Sequence, residues 1–593
     1  MSALDDREAT PTRLGAIVHA AKVRVHQLAR TLRDLGSELH PASPGDALRG
    51  GPLLAESRSR LWTAEDPREW PLEQGKVENL RIAARKLDGL ELPAGATFSF
   101  WAQIGRPTRS QGFVAGREIR EGCIVPAIAG GICQLSNALY EAALRAGLEI
   151  RERHPHSRTV PGSQAALGRD ATVLWNYIDL RFRSDRPLRL EVLLDAEQLV
   201  VRLRGPAPRH RHLPVLQDSI AAPKLEHDCH TCGETVCFRH DEPAIAPAGR
   251  SAYLVDELWP EFDRHLARER HRGDLLLLPL DGRMLGRPRY AWSSAGFTAL
   301  QHPRAALLRA FHSRRLAAQG AARQRALLAD DDRLALAMAR SLPLDVRHLV
   351  VAQNLLPALW RHGTLGGRRF EVLLTRLPLA DLHARLDRAA AVLKDSPTLA
   401  DFRAEAWRVD AEQAALAAAD RVITPHAGLA ARFPGRCERL AWELPRITPE
   451  PADRPSHVHP PIAREPADRP SSPRPLIAFP ASTVGRKGAW ELRAALRALD
   501  REVTVWVAGR PLEGPEFWRG LDVREGGECP GRPDLVVLPA HIEHQPRALL
   551  TALARGVPVI ASDACGLDPR PGLVIVPAGD VAALRAAIAA ALP

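Results

Sequence analysis

Short apolar runs alternate with longer helical stretches through the second half of the chain. Continuous apolar runs are typical of strands buried on both faces of a parallel sheet. The alternation therefore predicts repeated β–α units and an α/β fold. Four of these runs are DLLLLPLDG at 274–282, HLVVAQNLLPALW at 348–360, RRFEVLLTRLPL at 368–379 and DRVITPH at 420–426.

A proline-rich, apolar-poor segment at 446–475 interrupts this pattern, and EPADRPS occurs in it twice. Such a composition predicts a linker. The alternation resumes after it with PLIAFPA, VTVWVAGR, DLVVLPA, VPVIASD and LVIVPA. We therefore expect two Rossmann-like lobes, at 250–445 and at 476–593.

A different pattern lies at 130–158, GGICQLSNALYEAALRAGLEIRERHPHSR. Apolar residues recur at helical spacing from Gln134 to Ala146, which places Cys133 near a helix N-terminus. Unpaired N–H groups and the helix dipole favour a thiolate there, so Cys133 is a candidate nucleophile. His154 and His156 follow the helix. The alternative for Cys133 is a small, buried packing residue.

A dense cluster of cysteine and histidine, HDCHTCGETVCFRH, occupies residues 227–240 within a predicted segment at 222–245. Cys229, Cys232, Cys237 and His240 have the residue types and number of ligands that a tetrahedral zinc site needs. Structural zinc is the favoured interpretation. An iron–sulfur cluster, or a disulfide with one free thiol, remains an alternative.

The chain has 593 residues, is 45% hydrophobic and carries a net charge of +11, which describes a globular protein of several domains. Nearly all its basic residues are arginines, spread along the chain and mostly interleaved with acids. This distribution argues against nucleic-acid binding, while attraction to anionic sugars or lipid headgroups stays open.

The N-terminal segment, 1–45, predicts a helix and lacks the uninterrupted apolar stretch of an export signal. We therefore expect a cytoplasmic protein. The helix is basic, which is compatible with peripheral association at the inner face of the membrane, and a packed or partner-facing helix is the alternative. Its basic residues are Arg13, Lys22, Arg24, Arg30 and Arg33.

The region from about 98 to 183 resembles the VanW family. The resemblance rests on FSFWAQIGRPTRSQGF, GGICQLSNALYEAAL, ERHPHSR and GRDATVLWN leading to Asp179. It implies an α+β domain at about 50–215, with an association with the cell envelope and glycopeptide resistance. It implies no particular reaction.

The order of cysteine, histidine and acid in this region is similar to that of cysteine transferases and hydrolases. In such chemistry Cys133 attacks a carbonyl and His156 or His154 takes the proton. Asp170 or Asp179 then orients the imidazole. The alternative is that each aspartate pairs with a neighbouring arginine.

Residues 273–593 resemble the GT-B glycosyltransferases, especially those that use nucleotide-sugar donors without a metal. The motifs are VGRKG at 484–488 and PAHIEHQPRALLTALARGVPVIASDACGL at 539–567. The resemblance implies that Arg486 and Lys487 bind the donor phosphates and that Glu543 lies near the donor sugar. The family's second acid is Thr551 here, so a degenerate, non-catalytic lobe is an alternative.

We therefore expect a multidomain α/β protein in which an α+β VanW-like domain precedes two Rossmann-like lobes. The predicted activity is sugar transfer from a nucleotide-sugar donor to a glycan or lipid-linked acceptor in envelope or polysaccharide synthesis. One alternative is a cysteine-dependent amidase or transferase that acts on envelope peptides through Cys133. The other is a non-catalytic scaffold that binds envelope precursors.

Overall fold

The computed structural model describes residues 13–34, 42–64, 66–120, 123–156, 168–207, 249–316, 320–445 and 474–592. The chain divides into two compact units. The first comprises Met1–Arg250, Pro343–His348 and His362–Arg369, and the second comprises Ser251–Leu342, Leu349–Arg361 and Phe370–Pro593. Within the described ranges, no helix has the length and apolar character needed to cross a membrane.

The first unit is α+β with antiparallel sheets. Its helices are α1 (Arg13–Asp34), α2 (Trp70–Leu87), α3 (Phe100–Ile104) and α4 (Cys133–Arg145). Its strands are β1 (Ser43–Pro44), β2 (Leu53–Arg60), β3 (Leu90–Leu92), β4 (Thr97–Ser99), β5 (Ala115–Arg120), β6 (Cys123–Ile128), β7 (Glu149–Glu152), β8 (Arg181–Arg183), β9 (Leu188–Leu194) and β10 (Gln198–Arg204). They form a five-stranded sheet in the order β1–β3–β9–β10–β2, a three-stranded sheet β4–β8–β7 and the hairpin β5–β6.

Helices α2 and α4 bury one face each against the strands. In α4 the buried positions Leu135, Leu139 and Ala142 have the spacing of one helix face, as the sequence predicts. Helix α2 lies so close to the hairpin β5–β6 that only glycine fits at position 75. A Cβ on Gly75 would lie 1.9 Å from the carbonyl oxygen of Ala115.

The second unit contains two parallel sheets. Its helices are α5 (Pro260–Glu269), α6 (Pro303–Arg315), α7 (Gly320–Arg340), α8 (Leu356–Arg361), α9 (Leu379–Val392), α10 (Ala406–Ala418), α11 (Ala427–Ala430), α12 (Ala489–Arg497), α13 (Arg547–Ala554) and α14 (Val581–Ala591). Its strands are β11 (Arg250–Leu254), β12 (Leu275–Leu278), β13 (Thr298–Gln301), β14 (Val346–Ala352), β15 (Arg369–Leu373), β16 (Arg421–Thr424), β17 (Cys437–Arg439), β18 (Leu476–Phe479), β19 (Thr504–Val507), β20 (Asp522–Glu525), β21 (Leu535–Leu538), β22 (Val559–Ser562) and β23 (Leu573–Val576).

Each sheet has the Rossmann arrangement of strands. The first runs β13–β12–β11–β14–β15–β16–β17 and the second runs β20–β19–β18–β21–β22–β23. In both, the first three strands extend to one side of the sheet and the fourth lies on the other side of the first strand, which creates a topological switch point between the first and fourth strands. The predicted fold class, an α+β domain followed by two Rossmann-like lobes, is confirmed.

The apolar cores of the two lobes form one continuous cluster. Trp259 of the first lobe stacks on Trp442 at 5.8 Å between ring centroids, and the Trp442 indole N–H donates to the carbonyl oxygen of Gly566 in the second lobe at 3.0 Å. The guanidinium of Arg547, on α13, lies over both indole rings. The lobes are thus packed together along one side of the space between them.

Candidate functional site: the cleft between the two lobes

Ligands of open α/β sheets bind beyond the carboxyl ends of the strands at the switch point. In the first lobe this position lies after β11 and β14, where Asp256 and Asn354 follow the strands. In the second lobe it lies after β18 and β21, where Lys487 and Glu543 follow. A cleft of about 290 Å³ is lined by Asp256 and Asn354 from the first lobe and by His544, next to Glu543, from the second.

Lys487 and Glu543 meet at the switch point of the second lobe. The Lys487 Nζ lies 2.6 Å from the Glu543 Oε2, and the Glu543 Oε1 accepts the backbone N–H of Gln545 at 2.9 Å. Burial would raise the pKa of the Glu543 carboxyl, but the charge and hydrogen bond of Lys487 outweigh it and hold the pKa below its ordinary value. The structure thus brings together two of the three predicted donor-site residues as an ion pair.

Arg486, the third predicted residue, is fixed through its backbone. Its carbonyl oxygen accepts the N–H groups of His541 and Ile542 at 3.0 and 3.1 Å. Its half-buried guanidinium makes no hydrogen bond or ion pair to any residue that the structure describes. Burial lowers its pKa, and Glu543 opposes that effect. A half-buried cation that no described residue engages in a hydrogen bond or ion pair is suited to an anionic ligand.

Two histidines that the sequence analysis did not single out border this pair. The Nε2–H of His426 donates to the carbonyl oxygens of Glu543 and Ala564 at 3.1 and 3.2 Å, and its Nδ1 accepts the N–H of Leu429. Burial lowers the pKa of His426, which favours the neutral ring. His426 therefore holds the Glu543 segment in place from the first lobe.

His544 faces the cleft itself. Its Nε2 accepts the backbone N–H of Leu377 at 3.2 Å, so the proton of the neutral ring resides on Nδ1. Burial, with the positive charge of Lys487 among its neighbours, lowers the pKa of His544 well below its ordinary value. The ring is a neutral hydrogen-bond donor for a ligand oxygen.

An acidic cluster lines the opposite wall of the cleft. Arg309 of α6 donates from Nη1 to both carboxylate oxygens of Asp256, at 2.7 and 2.8 Å, and from Nη2 to Asp331 at 2.6 Å. The Asn354 amide donates to Asp256 at 2.6 Å. Burial raises the pKa of Asp331 to about 7, with Arg309 opposing and Asp256 adding to the rise. The surroundings of Asp331 therefore favour the protonated form of its carboxyl group.

Thr551 makes its side-chain hydrogen bond within its own helix. Its hydroxyl donates to the carbonyl oxygen of Arg547, one turn earlier in α13, at 2.8 Å. The Arg547 guanidinium binds both oxygens of the fully buried Glu261 carboxylate, at 2.8 and 2.5 Å. The position of the second acid in the GT-B motif thus holds a hydroxyl bonded within its own helix.

In the first unit, Cys133 is the first residue of α4, as predicted, but its environment does not favour a thiolate. Its thiol lies 3.8 Å from the carbonyl oxygen of Val173. Burial raises the pKa of the thiol to about 11, and the negative charges of Glu118 and Asp170 add to the rise. This direction is the opposite of the one that the helix N-terminus predicts.

The structure brings together His156 and Asp170, at 2.8 Å between Nδ1 and Oδ2. Asp170 also accepts the guanidinium of Arg153 at 2.7 Å. His154 lies apart, 3.4 Å from Glu152. Within the described ranges, no hydrogen bond connects the Cys133 thiol with either histidine.

Asp179 lies in another cluster of polar side chains. There it pairs with a neighbouring arginine, which is the alternative that the sequence left open. Its carboxylate accepts the Ser99 hydroxyl at 2.6 Å and the Arg181 guanidinium at 2.8 Å, and burial raises its pKa. Arg30 of α1 lies 3.4 Å from it and binds both oxygens of Glu152. Arg30 is thus packed within the unit and is not available to a membrane surface.

The predicted metal ligands Cys229, Cys232, Cys237 and His240 lie outside the described residues. In the parts of the chain that are described, no group of three or more histidine, cysteine or acidic side chains is arranged to hold a metal ion.

Two family models match the chain. Residues 75–204 match the model described as VanW like protein, and residues 474–593 match the model described as glycosyl transferases group 1. The chain therefore combines a VanW-like domain with a glycosyltransferase module, which confirms both predicted resemblances.

The chain is similar to two curated proteins. It is 37% identical over 111 residues to "Uncharacterized protein YoaR" of Bacillus subtilis (strain 168), covering 19% of this chain and 36% of that protein. It is 31% identical over 153 residues to "Vancomycin B-type resistance protein VanW" of Enterococcus faecalis (strain ATCC 700802 / V583), covering 25% and 56%. The chain thus spans about a third and about half of the length of these relatives.

Among solved structures, sucrose-phosphate synthase from Thermosynechococcus elongatus is similar with a TM-score of 0.35 and 16% identity, covering 57% of this chain and 88% of that one. A TM-score of this size carries no argument about function.

Proposed function

We propose that this protein transfers a sugar from a nucleotide-sugar donor to a glycan or lipid-linked acceptor in the synthesis of the cell envelope or of a polysaccharide. The observation that carries the proposal is the placement of Lys487, Glu543 and the unpaired Arg486 at the switch point of the second lobe. The glycosyltransferase match covers all three residues. The envelope setting, including a link to glycopeptide resistance, rests on the similarity to VanW.

The chemistry follows from where charge develops. When the bond between the anomeric carbon and the diphosphate breaks, the electron pair stays on the phosphate oxygen, and the leaving group gains negative charge. Lys487 and Arg486 are the cations placed to stabilise it. His544 adds a neutral Nδ1–H donor on the same wall. No step of this scheme requires a metal ion.

In this scheme Glu543 positions the Lys487 side chain. Its carboxylate holds the Lys487 ammonium at 2.6 Å, and its own backbone carbonyl is held by His426. Glu543 therefore fixes the position of the Lys487 ammonium in the free protein.

A function seated at Cys133 has less support. The pKa of its thiol is raised to about 11, so the thiol is almost entirely protonated near neutral pH. His156, which Asp170 orients, makes no hydrogen bond to this thiol among the described residues. We therefore do not propose a cysteine-dependent reaction.

The test is calorimetric titration of the full chain with nucleoside diphosphates and nucleotide sugars. Loss of charge-assisted hydrogen bonds from Lys487→Ala should weaken binding by about 10- to 150-fold. Lys394→Ala, which removes an exposed lysine of the same unit, is the matched control and should bind like the wild type. The absence of binding by every nucleotide, or unchanged binding by Lys487→Ala, would overturn the proposal.

Because Lys487→Ala leaves Glu543 buried without its partner, a folding defect has to be separated from a binding defect. The double variant Lys487→Met with Glu543→Gln removes both charges together and avoids an unpaired buried carboxylate. It should unfold at the same temperature as the wild type, or close to it, and still bind nucleotides about 10- to 150-fold more weakly.

A further inference from the structure

Helix α6 (Pro303–Arg315) buries a charged side chain and exposes apolar ones, which is the reverse of an ordinary surface helix. Its buried positions include Ala306 and Arg309, and Arg309 is 4% exposed. Its solvent face carries Leu307, Leu308 and Phe311, which are 66%, 38% and 56% exposed. Spacings of three and four residues place these apolar side chains in one stripe. These three side chains do not belong to the buried apolar core of the lobe.

Arginines bracket the apolar stripe. Arg304 precedes it by one turn, and Arg314 and Arg315 follow it by one turn, all three exposed. Within the described residues none of the three makes an ion pair. The outer face of α6 therefore presents apolar side chains between unpaired positive charges.

The sequence around α6 is basic over a long distance. From Gly282 to Ala329 the chain contains nine arginines and no aspartate or glutamate. Elsewhere arginines and acids are mostly interleaved, so this segment is where the excess of +11 is concentrated. The overall composition does not reveal this segment, because the net charge is a sum over the whole chain.

A second exposed apolar site lies beside the start of the helix. Met284 and Leu285 are 75% and 52% exposed in the loop after β12, between the exposed Arg283 and Arg287. This loop begins next to α6, since the backbone N–H of Asp281 donates to the Gln301 side chain at 2.9 Å, just before the helix. Loop and helix thus repeat the same combination of apolar and basic side chains.

We propose that the outer face of α6, with the loop at 283–287, docks on the surface of a bilayer that contains anionic lipids. Apolar side chains enter the boundary between headgroups and acyl chains, and the arginines pair with lipid phosphates. Arginine alone would also suit nucleic acid. The exposed leucines and phenylalanine favour lipid, because they gain nothing from a phosphate backbone.

The inner face of the same helix connects this surface with the cleft. Arg309 binds Asp256 and Asp331, which line the cleft, so only the thickness of one helix, about 10 Å, separates the lipid-facing stripe from that wall. An acceptor anchored in lipid would reach the cleft from this side. This last step rests on the proposed function, whereas the docking itself does not.

The test is co-sedimentation of the full chain with vesicles of phosphatidylcholine alone or mixed with phosphatidylglycerol. We expect binding to the anionic vesicles only. The double variant Leu307→Ala with Phe311→Ala should bind about ten-fold more weakly. Each change of Arg304 or Arg314 to glutamine should cost about five-fold.

Val392→Ala is the matched control, because Val392 is an apolar residue of the same lobe that is 81% exposed on another helix. It should bind vesicles like the wild type. The proposal is overturned by the absence of binding to anionic vesicles, by undiminished binding of the Leu307 and Phe311 variant, or by a preference for a DNA duplex over the vesicles. No donor is needed in this assay, so its failure is distinct from failure of the nucleotide titration.

Discussion

The carboxyl group of Asp331 provides a quantitative test of the cleft. It lies on the wall of the cleft, 2.6 Å from the Arg309 guanidinium, which also binds Asp256. Two carboxyl groups thus share one cation, and burial raises the pKa of Asp331 to about 7. The perturbation is Asp331→Asn, which keeps the shape of the side chain and removes the titrating proton.

The magnitude follows from linkage between proton binding and folding. An unfolded aspartate has a pKa of about 3.9, so between there and about pH 7 the folded protein keeps a proton that the unfolded chain has lost. The stability that this group contributes is full below pH 4, falls by about 1.4 kcal/mol per pH unit, and levels off above pH 7. Between about pH 5.5 and pH 7 the loss is about 2 kcal/mol.

The assay is urea unfolding of the wild type and of Asp331→Asn at a series of pH values, following the transition of the second unit. The difference in unfolding free energy between the two proteins cancels the titration of every group that does not interact with Asp331. The part of this free-energy difference that is independent of pH reports the lost contact with Arg309. The part that changes with pH reports the proton bound by Asp331. Equal slopes for both proteins from pH 5.5 to pH 7 would refute a raised pKa at Asp331.

Three further predictions concern groups whose surroundings are well defined. Glu261→Gln leaves the Arg547 guanidinium without its bidentate carboxylate partner. It should lower the unfolding free energy of the second unit by about 3 kcal/mol, measured by urea unfolding. An unchanged unfolding free energy would show that the pair is solvated. About a thousandth of the Cys133 thiol should be ionised at pH 8. Cys133 should therefore react with iodoacetamide far more slowly than glutathione does, as measured by peptide mass mapping. Labelling of Cys133 as fast as that of glutathione would contradict its raised pKa. Gly75→Ala places a methyl group against the carbonyl oxygen of Ala115. It should lower the unfolding free energy of the first unit by about 2 kcal/mol or more in the same assay. An unchanged unfolding free energy would show that the two backbones can move apart.

The strands that the sequence predicts are those at the centre of the two parallel sheets. β12 and β21 are buried on both faces and consist of continuous apolar residues, and β19 is apolar in all but its first residue, Thr504. The edge strands β13 (TALQ) and β20 (DVRE) escape prediction, because they are largely exposed and their residues show no apolar run. Their position follows only from pairing with the neighbouring strand.

The second wall of the cleft escapes prediction for another reason. Lys487 and Glu543 were found through a motif, and the structure joins them at 2.6 Å. Asp256, Arg309 and Asp331 belong to three separate elements, and nothing in their local sequence indicates that one guanidinium holds both carboxyl groups. Two clues were nevertheless present in the sequence. Asp256 follows a short apolar run, and Asp331 lies in the first acidic group after the basic segment at 282–329.

The two lobes contribute different groups to the cleft, and this difference constrains how substrates are oriented. The second lobe lines it with His544 and Gln545, next to the pair of Lys487 and Glu543. The first lobe lines it with the carboxyl groups of Asp256 and Asp331, and also with the guanidinium groups of Arg289, Arg309 and Arg376. A carboxylate can accept a hydrogen bond from a neutral hydroxyl group, whereas the Lys487 ammonium suits a phosphate. We therefore expect the donor phosphates on the side of the second lobe and the acceptor hydroxyl group near Asp256 and Asp331 of the first. Arg309, which binds both of these carboxyl groups, lies on α6, and the outer face of α6 carries the apolar and basic side chains of the proposed lipid-binding surface, so the acceptor side of the cleft is also its lipid side.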